Sequence, residues 1–418
     1  MNKNPSESVP RQNRTICLPF QQETYGETVA DDLQFRLYID EMFSLYPELF
    51  PPETGQGWRM KDSCISKKQD IVIRRIEISG IAHTVRPSFV MPYMTGMTDD
   101  AEKGLFLRKF SVPFWGIAHL FGRDPMYWER TEQSLGRNSI VGTTVKESGK
   151  LPEHVVADEK HTRIGGEKAY VATTVAEECI LGVSVTDSAD GDSLKKAYGI
   201  YKEEARNVAP DYSPETVNTD GWKAAVNAWK SLFPSVTLIL CFLHMFISIR
   251  DRAKKKFGEI YQEVVTRLWE CYRAPTRASF SQRVRRFAEW AEKISVPPVI
   301  ADKIGKIREN IAAYGTAYAF PGAHRTSNML DRLMRMMDRH LFNTQYFHGV
   351  ISSAELGIRG WALILNFAPS NPYTVKKYDG LQSPAERLNG FSYHDNWLHN
   401  LLISASLGGF REPPLNPL

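Results

Sequence analysis

Between residues 153 and 249 the chain passes through three strand-length segments of alternating and apolar residues, "EHVVADEKHT", "KAYVATTVAEE" and "CILGVSVTDS". A helical segment, "SLKKAYGIYKEEARNVA", follows, then an extended "ETVNTDG", a helical "WKAAVNAWKSLF", and an apolar strand "VTLILCFLH" that runs into a basic helix. The order βββαβαβα constrains the fold more than any other feature of the sequence. It predicts an α/β class with a mixed sheet in which the first strand and the fourth lie side by side.

Both of those strands carry an acid. Asp158 lies in the first, within "VVADEKHT", and Asp220 closes the fourth, in "VNTDGW". Two carboxylates held together by adjacent strand ends repel unless a divalent cation neutralises them, and hard oxygen ligands suit Mg2+ or Mn2+. A third acid is expected beyond a helical stretch, where "AHRTSNMLDRLMRMMDRHL" starts a helix with Leu330, Leu333, Met334, Met337 and Leu341 on its apolar face. Asp331 stands beside that stripe, with Arg335, Asp338 and Arg339 on the polar side; Asp338 and Glu355 are the alternatives.

The strand order is that of a ribonuclease-H-like mixed sheet, and the triple "ADEKHT", "NTDGW…CFLH" and "HRTSNMLDRL" resembles the DDE transposases of the Mutator-like kind, bacterial insertion-sequence relatives included. In those enzymes the second aspartate precedes a helix and then a C-x-x-H motif. An all-α insertion follows, and the third acid sits in a helix after an "R-x-x-N" stretch. The resemblance spans roughly residues 153 to 365. It implies metal binding and catalysis by Asp158, Asp220 and Asp331, with Cys241 and His244 shaping the turn near the active site and His244 reaching substrate phosphate. The family's third acid is usually glutamate; Asp331 is one methylene shorter.

Each of these residues also has an ordinary reading. Asp220 before "GWKAAVNAW" suits a helix N-cap, Asp158 a strand-edge acid, and Asn328-x-x-Asp331 a capping box. Cys241 and His244 alone do not fill a tetrahedral zinc site, and Cys241 on an apolar strand fits a core. The basic runs, Arg250, Arg252, Lys254, Lys255 and Lys256, then Arg283, Arg285 and Arg286, read either as a solvated helix face or as a groove for a DNA backbone. Trp269, Tyr272, Phe280, Phe287 and Trp290 are interleaved with them, divided between stacking on bases and filling a core.

The remainder is divided as a disordered tail over 1–15, an α+β and helical DNA-end-binding region over 16–150, and core segments over 151–249 and 321–370. A helical insertion over 250–320 separates the core segments, and a docked tail covers 371–418. Near the N-terminus, "IVIRRIEISGIAHTVRPSFVMPY" reads as two strands turning at Ser79-Gly80. "FGRDPMYWERTEQSLG" breaks at Gly122 and restarts a helix capped by Asp124 with Pro125 in its first position. That helix is either a DNA-reading helix with Tyr127, Arg130 and Arg137, or half of a packed hairpin whose Glu129 and Glu132 would repel phosphate.

With 418 residues, 42% of them hydrophobic and 24% charged, the chain has the composition of a globular protein of two or three domains. A net charge of +4 is too weak by itself to announce nucleic acid. Apolar runs broken by His244, a polar N-terminus and five scattered cysteines predict no membrane span, no export and a reducing, cytoplasmic or nucleoid-associated setting. The expected function is a transposase that binds inverted DNA ends as a dimer or larger assembly and cuts with two divalent ions. The alternatives are an inactive DNA-binding descendant and a nuclease of the same fold that cuts without joining.

Overall fold

The computed structural model describes residues 11–253 and 257–410. Among them the fold is α/β, with two sheets that each mix parallel and antiparallel neighbours. The expected loose tail is shorter than 1–15: Arg11–Arg14 form a 3-10 turn and strand β1 (Thr15–Leu18) follows at once. Its Ile16, Cys17 and Leu18 side chains are apolar and buried, which is why it enters a sheet. Helices α1 (Tyr25–Ala30) and α2 (Asp32–Leu45) lead to a hairpin set of β2 (Trp58–Ser66), β3 (Ile71–Ile78) and β4 (Ile81–Pro87). The sheet order is β1-β4-β3-β2, and Ser79 and Gly80 both take positive φ in the tight turn read from the sequence.

Four helices follow: α3 (Thr98–Arg108), α4 (Phe114–Phe121), α5 (Pro125–Leu135) and α6 (Ile140–Thr144). Asp124 caps α5 as expected, accepting a hydrogen bond from the Met126 amide at 2.8 Å. Trp128, Thr131, Glu132, Ser134 and Leu135 of α5 are buried, and Arg108 donates to Glu132 at 2.6 Å inside the protein. One face of α5 is therefore packed into the interior, and Glu132 is paired there rather than presented to solvent.

The central sheet consists of β5 (His154–Ile164), β6 (Glu167–Ala176), β7 (Cys179–Thr186), β8 (Thr216–Thr219) and β9 (Thr237–Leu240), in the order β7-β6-β5-β8-β9. Helix α7 (Gly191–Val208) joins β7 to β8, and α8 (Lys223–Leu232) joins β8 to β9. The first three strands pair antiparallel; β5, β8 and β9 run parallel. Side chains of alternate residues divide between two cores. Val155, Ala157 and Val217 join α7 and α8 on one face, whereas Val156, Val171 and Val175 belong to the core on the other.

The strand read as "VTLILCFLH" is shorter than expected. It stops at Leu240, where the Cys241 amide closes the ladder on Thr219 O at 2.8 Å, and α9 (Phe242–Ala253) begins immediately. Phe242 turns instead into a separate core built by α10 (Gly258–Tyr272), α11 (Arg277–Lys293), α12 (Pro298–Glu309) and α13 (Ile311–Gly315), the expected helical insertion. Helix α14 (Asn328–Asn343) returns to the sheet with Leu330, Met334, Met337 and Leu341 buried, and α15 (Ile351–Phe367) packs on β7. The C-terminal segment is more than a docked tail. Helices α16 (Pro372–Lys377), α17 (Pro384–Asn389) and α18 (Trp397–Ser404) carry it into the main core through Leu398, Leu401, Leu402 and Ile403. No described helix is long and apolar enough to cross a membrane.

Candidate active site

The parallel ladder of β5 and β8 pairs His154 with Thr216, Val155 with Val217 and Val156 with Asn218. Asp158 stands to Asp220 in the same register, just beyond the last pair, and period-2 alternation places both on the face of Val156 and Asn218. Asp220 is exposed at the strand end and accepts the Trp222 amide at 2.7 Å; it precedes α8 without being its N-cap, which is Trp222. The third aspartate comes from α14, whose buried stripe packs on this face. Asp331 does not reach back to an amide as a capping box would; its Oδ2 accepts a hydrogen bond from Ser327 Oγ at 3.0 Å.

The alternative third acids are engaged elsewhere. Asp338 pairs with Lys160 at 2.5 Å, and Glu355 accepts from Ser184 Oγ and the Val185 amide on β7, two strands away from β5.

Asp158 is mostly buried. Burial raises its carboxyl to about 6, with Asp220 and Asp331 pushing the same way and His244 opposing. His244, in the first turn of α9, approaches Asp158 Oδ2 with Nε2 at 3.8 Å. Its imidazole is raised to about 9, chiefly by the neighbouring Cys241 sulfur and then by Asp158 and Asp220, against the effect of burial. Cys241 is buried, and Ser327 is bonded to it twice: the Ser327 amide donates to Sγ at 3.2 Å, and the thiol donates to Ser327 Oγ at 3.3 Å. Arg325, from the "R-x-x-N" stretch, spreads its guanidinium over the rings of Tyr272 and Tyr318, and its carbonyl accepts the Phe242 amide, so the insertion is tied to the start of α14.

Two neighbours of the site were not singled out in the sequence. Glu159 points to the opposite face, where Tyr198 OH donates to it at 2.7 Å; burial first, then Asp158 and Asp220, raise its carboxyl to about 7. Its only sequence signal is that it follows Asp158. Ser327 lies one residue before the Asn328 read as a cap, and neither its bond to Asp331 nor its contact with Cys241 has a sequence signal.

The donor set of the three aspartates is all oxygen, which suits a hard divalent ion. Asn218, fully buried on the same face, also leaves Oδ1 without a partner. The three carboxylates do not all come within 4.8 Å of one another; among the described residues Glu153, His154 and Glu215 do. That second group is a poor ligand set, because His154 already uses both ring nitrogens, on Thr216 Oγ1 at 3.1 Å and Pro321 O at 3.0 Å.

Of the expected DNA-binding residues, Arg285 and Arg286 are exposed on α11. Arg283 is held by the Glu270 carbonyl at 2.6 Å and Arg250 by Asp251 at 2.9 Å. Arg252 lies in α9, and Lys254, Lys255 and Lys256 fall outside the described residues. The interleaved aromatics mostly build the insertion: Phe280 and Phe287 are buried, Trp269 and Tyr272 pack on Phe242, and Trp290 stacks on Phe287 beneath Arg267. No family model matches the chain, and no curated protein matches it in sequence.

Proposed function

We propose that the protein is a metal-dependent DNA transposase with a ribonuclease-H-like catalytic sheet, acting on double-stranded DNA at the ends of a mobile element. The observation that carries this reading is the convergence on one sheet face of Asp158, Asp220 and Asp331, from two adjacent parallel strands and a helix packed across them. Three carboxylates gathered this way weaken the fold, since Asp220 and Asp331 add to burial in disfavouring ionisation of Asp158, and a cation-dependent activity explains their retention.

In this reading Asp158, Asp220 and Asp331 hold Mg2+ or Mn2+. Bound there, the ions supply an activated water or 3′-hydroxyl and stabilise the leaving 3′ oxygen. His244 offers a donor beside Asp158 for a phosphate oxygen and offsets the negative charge that DNA must approach. Cys241 sets the end of β9 so that α9 points His244 inward. The exposed Arg285 and Arg286, together with the basic run from Arg250 to Lys256, provide cations for the flanking backbone.

The test is incubation of the purified chain with its element's terminal DNA and Mg2+ or Mn2+. Wild type nicks the ends and joins them to a target; Asp158→Asn and Asp220→Asn lose cleavage by at least about 100-fold while retaining DNA binding, since each removes a ligand with little change of shape. Full cleavage by either variant refutes the assignment of the site. The shortened third acid favours a second reading, a non-cutting DNA-binding descendant, and binding without nicking under either metal selects it. Nicking without joining selects a nuclease of the same fold.

A further inference from the structure

Ser327 occupies the N-cap position of α14, where a serine hydroxyl ordinarily accepts a backbone amide of the first turn. Here it caps nothing. The hydroxyl, in a residue only 2% exposed, accepts from the Cys241 thiol and donates to Asp331 Oδ2 at 3.0 Å. Cys241 is in turn fixed by its amide to Thr219 O, on the residue that precedes Asp220. A continuous chain of hydrogen bonds therefore runs from the strand end that presents the second acid to the carboxylate of the third, beside the backbone bond from the Phe242 amide to the Arg325 carbonyl.

We propose that Ser327 is a positioning residue, which with Cys241 fixes the rotamer of Asp331 so that its free oxygen faces the other two acids; this rests on the reading of Asp331 as a metal-binding acid. Two features of the geometry favour orientation over packing. The hydroxyl forgoes the local bond that would stabilise its own helix, and it occupies one oxygen of Asp331 from the protein side. Holding the rotamer also matters more for a short side chain, because aspartate has less reach than glutamate with which to correct an error in position. Outer partners of this kind change metal affinity by roughly 10- to 100-fold when removed.

The probe is Mn2+ alone, titrated against the full chain by calorimetry, with nicking measured in parallel across Mn2+ concentration. Ser327→Ala is expected to weaken Mn2+ binding about 10-fold and to raise the Mn2+ concentration needed for half-maximal nicking. Most of the rate should return at saturating metal. Ser327→Thr and Cys241→Ser, which keep a hydroxyl donor, should stay within about 3-fold of wild type. If Ser327→Ala does not fold, Ser327→Cys replaces it, with a weaker donor and an intermediate loss expected. Unchanged Mn2+ affinity in folded Ser327→Ala or Ser327→Cys, while Asp331→Asn loses binding, overturns the positioning role and leaves the active site standing. Equal losses in Ser327→Ala and Ser327→Thr also overturn it, since shape rather than the hydroxyl would then be responsible. A wild-type chain that binds no Mn2+ overturns this role together with the metal-site reading.

Discussion

Asp158 is the residue at which stability and the proposed activity pull apart. Its carboxyl is raised from its usual value of 3.8 to about 6 in the folded protein by burial and by Asp220 and Asp331. A carboxyl raised on folding contributes its stability below the unfolded value and loses it as pH rises through the folded one. Above pH 6 the metal-free protein therefore carries a strained anion. Asp158→Asn, neutral at every pH and nearly isosteric, is expected to be more stable than wild type at pH 8 in chelator, by about 1–3 kcal/mol. The difference should shrink toward zero near pH 4. Denaturant titrations of both proteins at the two pH values check this; an Asn variant less stable at pH 8 would show that the His244 contact outweighs the burial and repulsion. The same change is expected to abolish cleavage, as befits a site retained at a cost in stability. Asp158 and Asp220 were legible in the sequence because strand alternation and a parallel register depend on local spacing alone. Ser327 was not, since the bond that defines it joins positions 86 apart, and the local pattern reads instead as a cap at Asn328.

At the scale of elements, the packing of α5 against α15 holds the N-terminal region onto the sheet. A Cβ on Gly360 would lie 2.1 Å from Glu132 O, and one on Gly136 would lie 2.0 Å from Leu356 O, so the two helices meet backbone to backbone. Gly360→Ala must force them apart and disturb the buried Arg108–Glu132 pair; a loss of about 3 kcal/mol is expected. A Cβ on Gly357 of the same helix would meet nothing within 4 Å, and Gly357→Ala should be neutral or stabilising by up to about 1 kcal/mol. Urea denaturation of the pair checks the contrast, and equal effects would mean that helix propensity, not the close approach, governs. The type and order of the elements from β5 to α15 were legible because hydrophobic periodicity is strong there. The end of β9 was not: "LILCFLH" is apolar throughout, and only the insertion core that claims Phe242 decides where extended backbone yields to helix.

Across the whole molecule, the helices after β9 keep a core of their own, whereas the N-terminal region shares one with later elements. The buried residues of the insertion's core run from Phe242 to Tyr314 and include none from the sheet's two faces. The N-terminal region has no such independence. Its buried residues share one core with α14, α15 and α18. The Cys17 amide donates to Ser406 Oγ, Ser406 Oγ donates to the Leu49 carbonyl, and Glu204 of α7 accepts the Ile140 and Val141 amides while Arg359 pairs with it. Contacts between positions 389 and 357 apart leave no trace in local pattern, so a region that reads as separable is in fact closed by the chain's other end. Fragment 242–320 should therefore be helical and melt cooperatively by circular dichroism. Fragment 11–150 should show neither a cooperative transition nor dispersed amide resonances, because burying its apolar face requires helices it lacks. A stably folded 11–150 would establish an autonomous unit and restore the division read from the sequence. If it fails to fold alone, DNA ends bound by this region in the proposed transposase would bear directly on the core that positions Asp331, with no flexible linker between recognition and the site.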